Sequence, residues 1–229
     1  KFKPLDLRNR IDPSDSNLRF MDLTGDGLTD AVKLQEDRII YLQCLGEEGF
    51  SEPIEVRRQN EKESLPLGYT FSTIKNLMLA DMTGDGLKDI VLIRDKDISY
   101  WPNMGYGRFG KRINMKDSPS LGPFDPGRMF LIDVDGSGPA DFVYIDNDRV
   151  LIFTNQSGNG WSKPRINKTG FFIDRSDGCA LVDMLGIGSA GVIWTRSFGG
   201  MKACEYRFLD FSGGIKPYLL CSINNNMGC

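Results

Sequence analysis

Residues 22–30 read DLTGDGLTD, and residues 81–89 repeat the pattern almost unchanged as DMTGDGLKD. Residues 133–141 carry a third copy, DVDGSGPAD, and residues 183–191 carry a fourth, DMLGIGSAG, in which most acidic positions are lost. The copies begin 59, 52 and 50 residues apart. This spacing is typical of four-stranded propeller blades with some loop insertion. The sequence therefore predicts one structural unit that is repeated along the chain.

The similarity between the copies extends well beyond these acidic loops. In each of the three good copies an aromatic residue (Phe50, Phe109 or Trp161) lies 28 positions after the first Asp and follows a glycine-rich turn. Between loop and aromatic, two short runs of β-branched and aromatic residues flank a polar turn, and a further apolar run precedes the loop. Such runs are typical of strands. We expect about four strands in each copy, with the aromatics buried between neighbouring blades.

The predicted fold class is therefore all-β, a β-propeller of about four blades at residues 17–56, 76–113, 128–166 and 178–211. Residues 212–229 are expected to form an exit segment toward a following domain. Propellers have four to eight blades, and an unclosed ring leaves strand edges that can pair with other chains. We expect these blades to be part of a larger propeller whose sequence continues at both ends, and the isolated chain to self-associate.

The acidic loops, named loops one to four in chain order, have the composition of calcium sites. Oxygen-bearing side chains occupy positions 1, 3, 5 and 9, position 7 can offer a backbone carbonyl, and glycines at positions 4 and 6 allow a tight curl. Calcium takes six to eight oxygen ligands. The predicted calcium ligands are Asp22, Thr24, Asp26, Leu28 and Asp30 in loop one, Asp81, Thr83, Asp85, Leu87 and Asp89 in loop two, and Asp133, Asp135, Ser137, Pro139 and Asp141 in loop three.

Two other interpretations of these loops can be weighed. An EF-hand is excluded because its closing Glu is replaced by Lys33, Leu92 or Tyr144, and because strands rather than helices flank the loops. The aspartates could instead make Asx-turns and cap backbone amides without any metal. Three converging carboxylates repel one another without a cation, which favours calcium in loops one and two first and then in loop three. Loop four keeps only Asp183 and is expected to be metal-free.

Composition excludes several classes of function. The chain of 229 residues has no histidine, which removes Ser-His-Asp and Cys-His catalysis. Its five cysteines lack CxxC spacing, which argues against a zinc site. A net charge of −3 without a long basic run indicates no nucleic-acid partner. No apolar stretch approaches the roughly 20 residues of a membrane span. We expect a soluble chain that is not an enzyme.

Several strings resemble one known family. The loop followed by strand, turn, strand and N-x-G-x-G-x-F is similar to the FG-GAP/VCBS repeats of integrin-α-type propellers. More specifically, YWPNMGYGRFG at 100–110, FDPGR at 124–128, IDVDGSG at 132–138 and NQSGNGW at 155–161 resemble the SpvB-related B component of bacterial ABC-type (Tc) insecticidal toxin complexes. The tail strings KPYLL at 216–220 and NNNMG at 224–228 extend this resemblance from about residue 18 to the end.

The resemblance implies a binding and gating role. In that family the propeller lies beside an Rhs-type shell that encloses a cytotoxic polypeptide, docks onto the pore-forming A component, and gates toxin release. The chain would then be secreted or released by bacteria without a visible signal peptide. The sequence is far shorter than that family's members and contains neither the SpvB-like part nor the shell, so we expect a fragment or a relative whose role has drifted.

A different class of function stays open beside this one. FG-GAP-like blades also form calcium-dependent glycan-binding (lectin-like) and integrin-like adhesion propellers. Trp101, Trp161 and Trp194 would line sugar pockets in a lectin, whereas in a toxin propeller they would pack in blade cores, as the position that Trp161 shares with Phe109 favours.

Overall fold

The computed structural model describes residues 11–12, 14–15, 17–35, 38–56, 76–122, 124–174, 178–187, 189–197 and 204–213. The segment 57–73, whose polar composition predicts an excursion between blades, lies outside the described residues. So do the tail strings and nearly all of the expected exit segment. The described residues form fifteen strands and two short 3-10 helices, Gly46–Glu48 and Pro126–Arg128.

The strands form four antiparallel sheets, and within each sheet consecutive strands are hydrogen-bonded neighbours. Sheet one contains β1 (Leu18–Met21), β2 (Asp30–Leu34), β3 (Ile39–Leu42) and β4 (Ile54–Val56). Sheet two contains β5 (Leu77–Ala80), β6 (Asp89–Arg94), β7 (Asp97–Trp101) and β8 (Ile113–Asn114). Sheet three contains β9 (Met129–Ile132), β10 (Asp141–Ile145), β11 (Arg149–Phe153) and β12 (Arg165–Lys168). Sheet four contains β13 (Gly178–Val182), β14 (Gly191–Ser197) and β15 (Cys204–Leu209).

Four such meanders are the four blades of a β-propeller, and the predicted all-β fold class is confirmed. The repeat has the same position in every sheet. The residue before each loop pairs with the ninth loop residue, as in Met21↔Asp30, Ala80↔Asp89 and Ile132↔Asp141. Loop four closes the same way through Val182↔Gly191. Each acidic loop is therefore the connection between the first two strands of a blade.

The chain divides into two compact units. Unit 1 comprises residues 1–127 and 155–162, and unit 2 comprises residues 128–154 and 163–229. In unit 1 the first two sheets share one apolar cluster, which contains Met21, Leu23, Val32, Leu34, Ile39, Tyr41, Val56, Leu77, Ile90, Leu92, Trp101 and Phe109. In unit 2 the last two sheets share another, which contains Val134, Val143, Ile145, Val150, Ile152, Ile173, Val192 and Trp194.

The repeated aromatics close a short turn in each of the first three blades. Phe50, Phe109 and Trp161 form equivalent bridges with the residue six positions earlier. Burial between blades is confirmed for Phe109, which is 3% exposed and belongs to the unit 1 cluster, and Trp161 is 2% exposed. The same expectation is wrong for Phe50, which is only partly buried. Phe109 packs on the preceding blade, and no blade precedes sheet one among the described residues.

Candidate functional site: the acidic loops and the turns against them

The first aspartate of each good loop organises the backbone that follows it. In loop two, Gly84 and Gly86 adopt φ of 84° and 89°, a left-handed conformation that glycine tolerates best. Their amides donate to the two oxygens of Asp81 at 2.7 and 2.8 Å. Asp22 accepts from glycine amides at 2.7 and 2.8 Å, and Asp133 at 2.7 and 2.9 Å. Position 1 therefore fixes the curl of all three loops.

The ninth position carries a buried carboxylate that ties the loop to the end of the third strand. Asp30, Asp89 and Asp141 are each 0% exposed. Asp30 accepts from the amides of Leu23 and Thr24 at 3.0 and 3.2 Å, and its other oxygen accepts from Cys44 N at 2.8 Å. Through these three hydrogen bonds, the Asp30 carboxylate joins the start of the loop to the segment after the third strand.

Loop two repeats this arrangement. Asp89 accepts from Met82 N at 3.0 Å and from Asn103 N at 2.8 Å. Burial raises the pKa of Asp89 to about 6, although the amides of Asn103 and Met82 pull the pKa down. Burial, together with the charges of Asp89 and Asp85, also raises the pKa of Tyr100. A nearby cation would favour the ionised form of Asp89.

The fifth position is exposed and accepts a single backbone amide in loops one and two. Asp26 accepts from Leu28 N at 2.8 Å and from Gln43 Nε2 at 3.2 Å, and these bonds lower the pKa of its carboxyl group. Asp85 accepts from Leu87 N at 2.9 Å. Position 5 can therefore be replaced with little loss of backbone hydrogen bonding, which separates it from positions 1 and 9.

The carboxylates converge most closely in loop three. Oxygens of Asp133, Asp135 and Asp141 lie within 4.8 Å of one another, and no other such group of three His, Cys, Asp or Glu side chains occurs in the described part of the chain. Ser137 and the carbonyl of Pro139 belong to the same loop. This all-oxygen set fits calcium, whereas the carboxylates of loops one and two do not converge to this extent. Geometry therefore favours loop three, the reverse of the order expected from the sequence.

The sequence did not show that the glycine-rich turns lie against the acidic loops of the preceding blade. Tyr106 N donates to Thr24 O at 3.2 Å, and Asn155 Nδ2 donates to Met82 O at 3.0 Å. Tyr100 Oη donates to Gly158 O at 3.2 Å, and a Cβ on Gly158 would lie 2.4 Å from that hydroxyl. Asn155 and Gly158 of the third turn, NQSGNGW, are thus explained by contact with the neighbouring blade.

The three tryptophans proposed for sugar pockets are core residues. Trp101, Trp161 and Trp194 are 2%, 2% and 3% exposed. Trp101 belongs to the unit 1 cluster and Trp194 to the unit 2 cluster. Their rings present no face on which a sugar could stack, which favours the packing interpretation over the lectin interpretation of these residues.

Comparison with solved structures extends these observations. A structure of the Photorhabdus luminescens Tc holotoxin pore matches 96% of this chain with a TM-score of 0.77 and 29% identity. A crystal structure of TcdB2-TccC3-TEV matches 86% of the chain with a TM-score of 0.60 and 27% identity. The resemblance to Tc toxin complexes is confirmed. The chain spans only 10% and 9% of the length of these two toxin chains.

One likeness outside the toxins shows the fold alone. An Agrocybe aegerita lectin that recognises non-reducing terminal N-acetylglucosamine matches 76% of this chain and 45% of its own chain, with a TM-score of 0.58 and 22% identity. No protein-family model and no curated protein sequence matches the chain. Within the described residues, no helix has the length and apolar character needed to span a bilayer.

Proposed function

We propose that this chain is a non-catalytic propeller module of a Tc-type toxin complex. In this proposal it docks onto a pore-forming component and gates the release of a cytotoxic polypeptide from an Rhs-type shell. The observation that carries the proposal is the likeness to the holotoxin pore, at a TM-score of 0.77 and 29% identity over 96% of the chain. The buried aspartates support a scaffold role, because their oxygens accept backbone amides.

The turn between Asn103 and Phe109 is the best candidate for the docking contact. Tyr106 is 78% exposed and Met104 is 60% exposed. Large exposed apolar side chains mark interaction surfaces, and tyrosine is enriched among residues that dominate binding energy. The Tyr106 amide is held by Thr24 O, so the turn presents this ring from a fixed backbone.

Docking is tested by measuring the affinity of the chain for a purified Tc pore-forming component by biolayer interferometry. We expect Tyr106→Asn to weaken binding by about tenfold or more, as loss of a central interface tyrosine does. Asparagine suits the φ of 53° at this position, so the turn should persist. The matched control is Tyr206→Asn, at an exposed tyrosine on β15. Absence of binding by the unaltered chain, combined with selective binding on a glycan array, would instead support a lectin.

We also propose that calcium binds the acidic loops, first of all loop three. Calcium in the millimolar range should raise the melting temperature relative to chelator, because a ligand that binds only the folded state stabilises it. Asp135→Asn should remove most of this shift, whereas Asp85→Asn, the control in loop two, should remove less. Melting curves recorded by circular dichroism give both values. Identical melting temperatures with calcium and with chelator would contradict the calcium proposal.

A further inference from the structure

Unit 1 also contains a groove beside the first strands of blades one and two, with Lys88 of loop two in its wall and no residue of the docking turn among those that line it. Its volume is about 380 Å³, within the range of 300–1,000 Å³ that is common for ligand sites. The residues that line it include Arg19, Phe20, Met78, Leu79, Lys88 and Pro126.

The walls of the groove combine apolar surface with positive charge. Phe20 is 53% exposed although it is a large aromatic residue on a strand. Arg19 and Lys88 are both cationic, and none of the described residues that line the groove is acidic. Such a surface is complementary to a ligand that carries carboxylates beside apolar groups.

The backbone beside the groove favours an extended peptide over a compact ligand. β1 and β5 are the end strands of their sheets, so each leaves one edge without a strand partner among the described residues. An edge strand is a template to which an extended peptide can add through main-chain hydrogen bonds, with alternate side chains filling pockets. In a strand, alternate side chains face one side, which suits a ligand whose acidic and apolar residues alternate.

We propose that this groove binds an extended peptide segment of a partner protein in which acidic and apolar residues alternate. The segment lies along β1 and β5, with its carboxylates toward Arg19 and Lys88 and its apolar side chains against Phe20 and Met78. The site is separate from the docking turn at Tyr106. Binding here therefore does not depend on binding to a pore-forming component, and either proposal can fail alone.

The test uses the full chain and two labelled synthetic decapeptides, one with alternating Leu and Glu and one with alternating Leu and Lys. Fluorescence anisotropy should show saturable binding of the Leu–Glu peptide that weakens with added salt, since exposed charges are screened. The Leu–Lys peptide should bind at least about tenfold more weakly. Equal affinity for the two peptides, or no binding of the Leu–Glu peptide at millimolar concentration, would overturn the proposal.

Charge reversal locates the site. Lys88→Glu and Arg19→Glu should each weaken binding of the Leu–Glu peptide by about tenfold. Lys168→Glu, at an exposed lysine on β12 in unit 2, makes the same change outside the groove and should leave the affinity unaltered. A second arm measures direct binding of a fluorescently labelled fatty acid to the chain. Binding of the fatty acid without binding of the peptide would assign the groove to a small amphipathic carboxylate and overturn the peptide proposal.

Discussion

Phe109→Ala should lower the free energy of unfolding by about 3–5 kcal/mol, the usual cost of removing a buried phenylalanine ring from a core. Phe109 is 3% exposed and lies in a cluster that contains side chains from both sheet one and sheet two. Its loss leaves a cavity at the junction of two blades, and the bridge to Asn103 holds the backbone at this position. Urea denaturation followed by tryptophan fluorescence measures the change.

The chain itself offers the matched control for this experiment. Phe50 has the same position in blade one and makes the equivalent bridge with Cys44, yet it is only partly buried. Phe50→Ala should therefore cost clearly less than Phe109→Ala. Equal costs would mean that the aromatic stabilises its own turn rather than the junction between blades. Unchanged stability of Phe109→Ala with lost partner binding would place the residue in a binding site.

Much of the fold could be predicted because the repeat indicates both where the strands lie and where they are connected. The loops, with their paired glycines, mark where the first two strands of each blade connect, and the runs of β-branched residues mark the strands themselves. The register Met21↔Asp30 and Ala80↔Asp89 follows directly from this pattern. Burial of Phe50 could not be predicted in the same way, because burial depends on which blade lies next to it.

The roles of individual loop residues were harder to predict from the sequence. Positions 1, 5 and 9 are all aspartate in loops one and two, so residue type does not distinguish them. The structure does, because Asp89 is 0% exposed and accepts two buried amides, whereas Asp85 is exposed. Type alone also could not predict the closer convergence of carboxylates in loop three, since that depends on side-chain placement.

Loop four shows why its ninth position is not acidic. Gly191 stands where the other loops have a buried aspartate, and a Cβ on Gly191 would lie 2.5 Å from Cζ of Phe208. The aromatic ring thus occupies the space beside the ninth position, and an aspartate there would clash. Ser189 in the same loop donates from its hydroxyl to Val134 O at 2.8 Å. Gly191 therefore leaves room for Phe208, and Ser189 links loop four to loop three.

Replacing the buried aspartate of loop two, Asp89, should also lower the free energy of unfolding substantially. Asp89→Ala leaves the amides of Met82 and Asn103 without their acceptor, and each unpaired buried amide costs about 1–3 kcal/mol. Removing a carboxylate whose pKa is raised to about 6 by burial returns part of this cost at pH 7. We expect a net loss of about 2–4 kcal/mol in chelator at pH 7, while Asp85→Ala, at an exposed position, should lose less than about 1 kcal/mol.

The pH dependence of this loss distinguishes a buried carboxylate from an exposed one. The pKa of Asp89 in the fold, about 6, lies above its usual value of 3.8, so ionisation favours the unfolded state. The contribution of Asp89 to stability is therefore fully present below pH 3.8 and declines as the pH rises toward 6. Asp89→Ala lacks this titration. The free-energy cost of the substitution should therefore be larger at about pH 4.5, inside the window between the two pKa values, than at about pH 7, above it. Urea denaturation of both proteins in chelator at the two pH values provides the comparison. A cost that is smaller at the lower pH would show that Asp89 is stabilised as an anion, as expected if its hydrogen bonds to Met82 and Asn103 outweigh its burial.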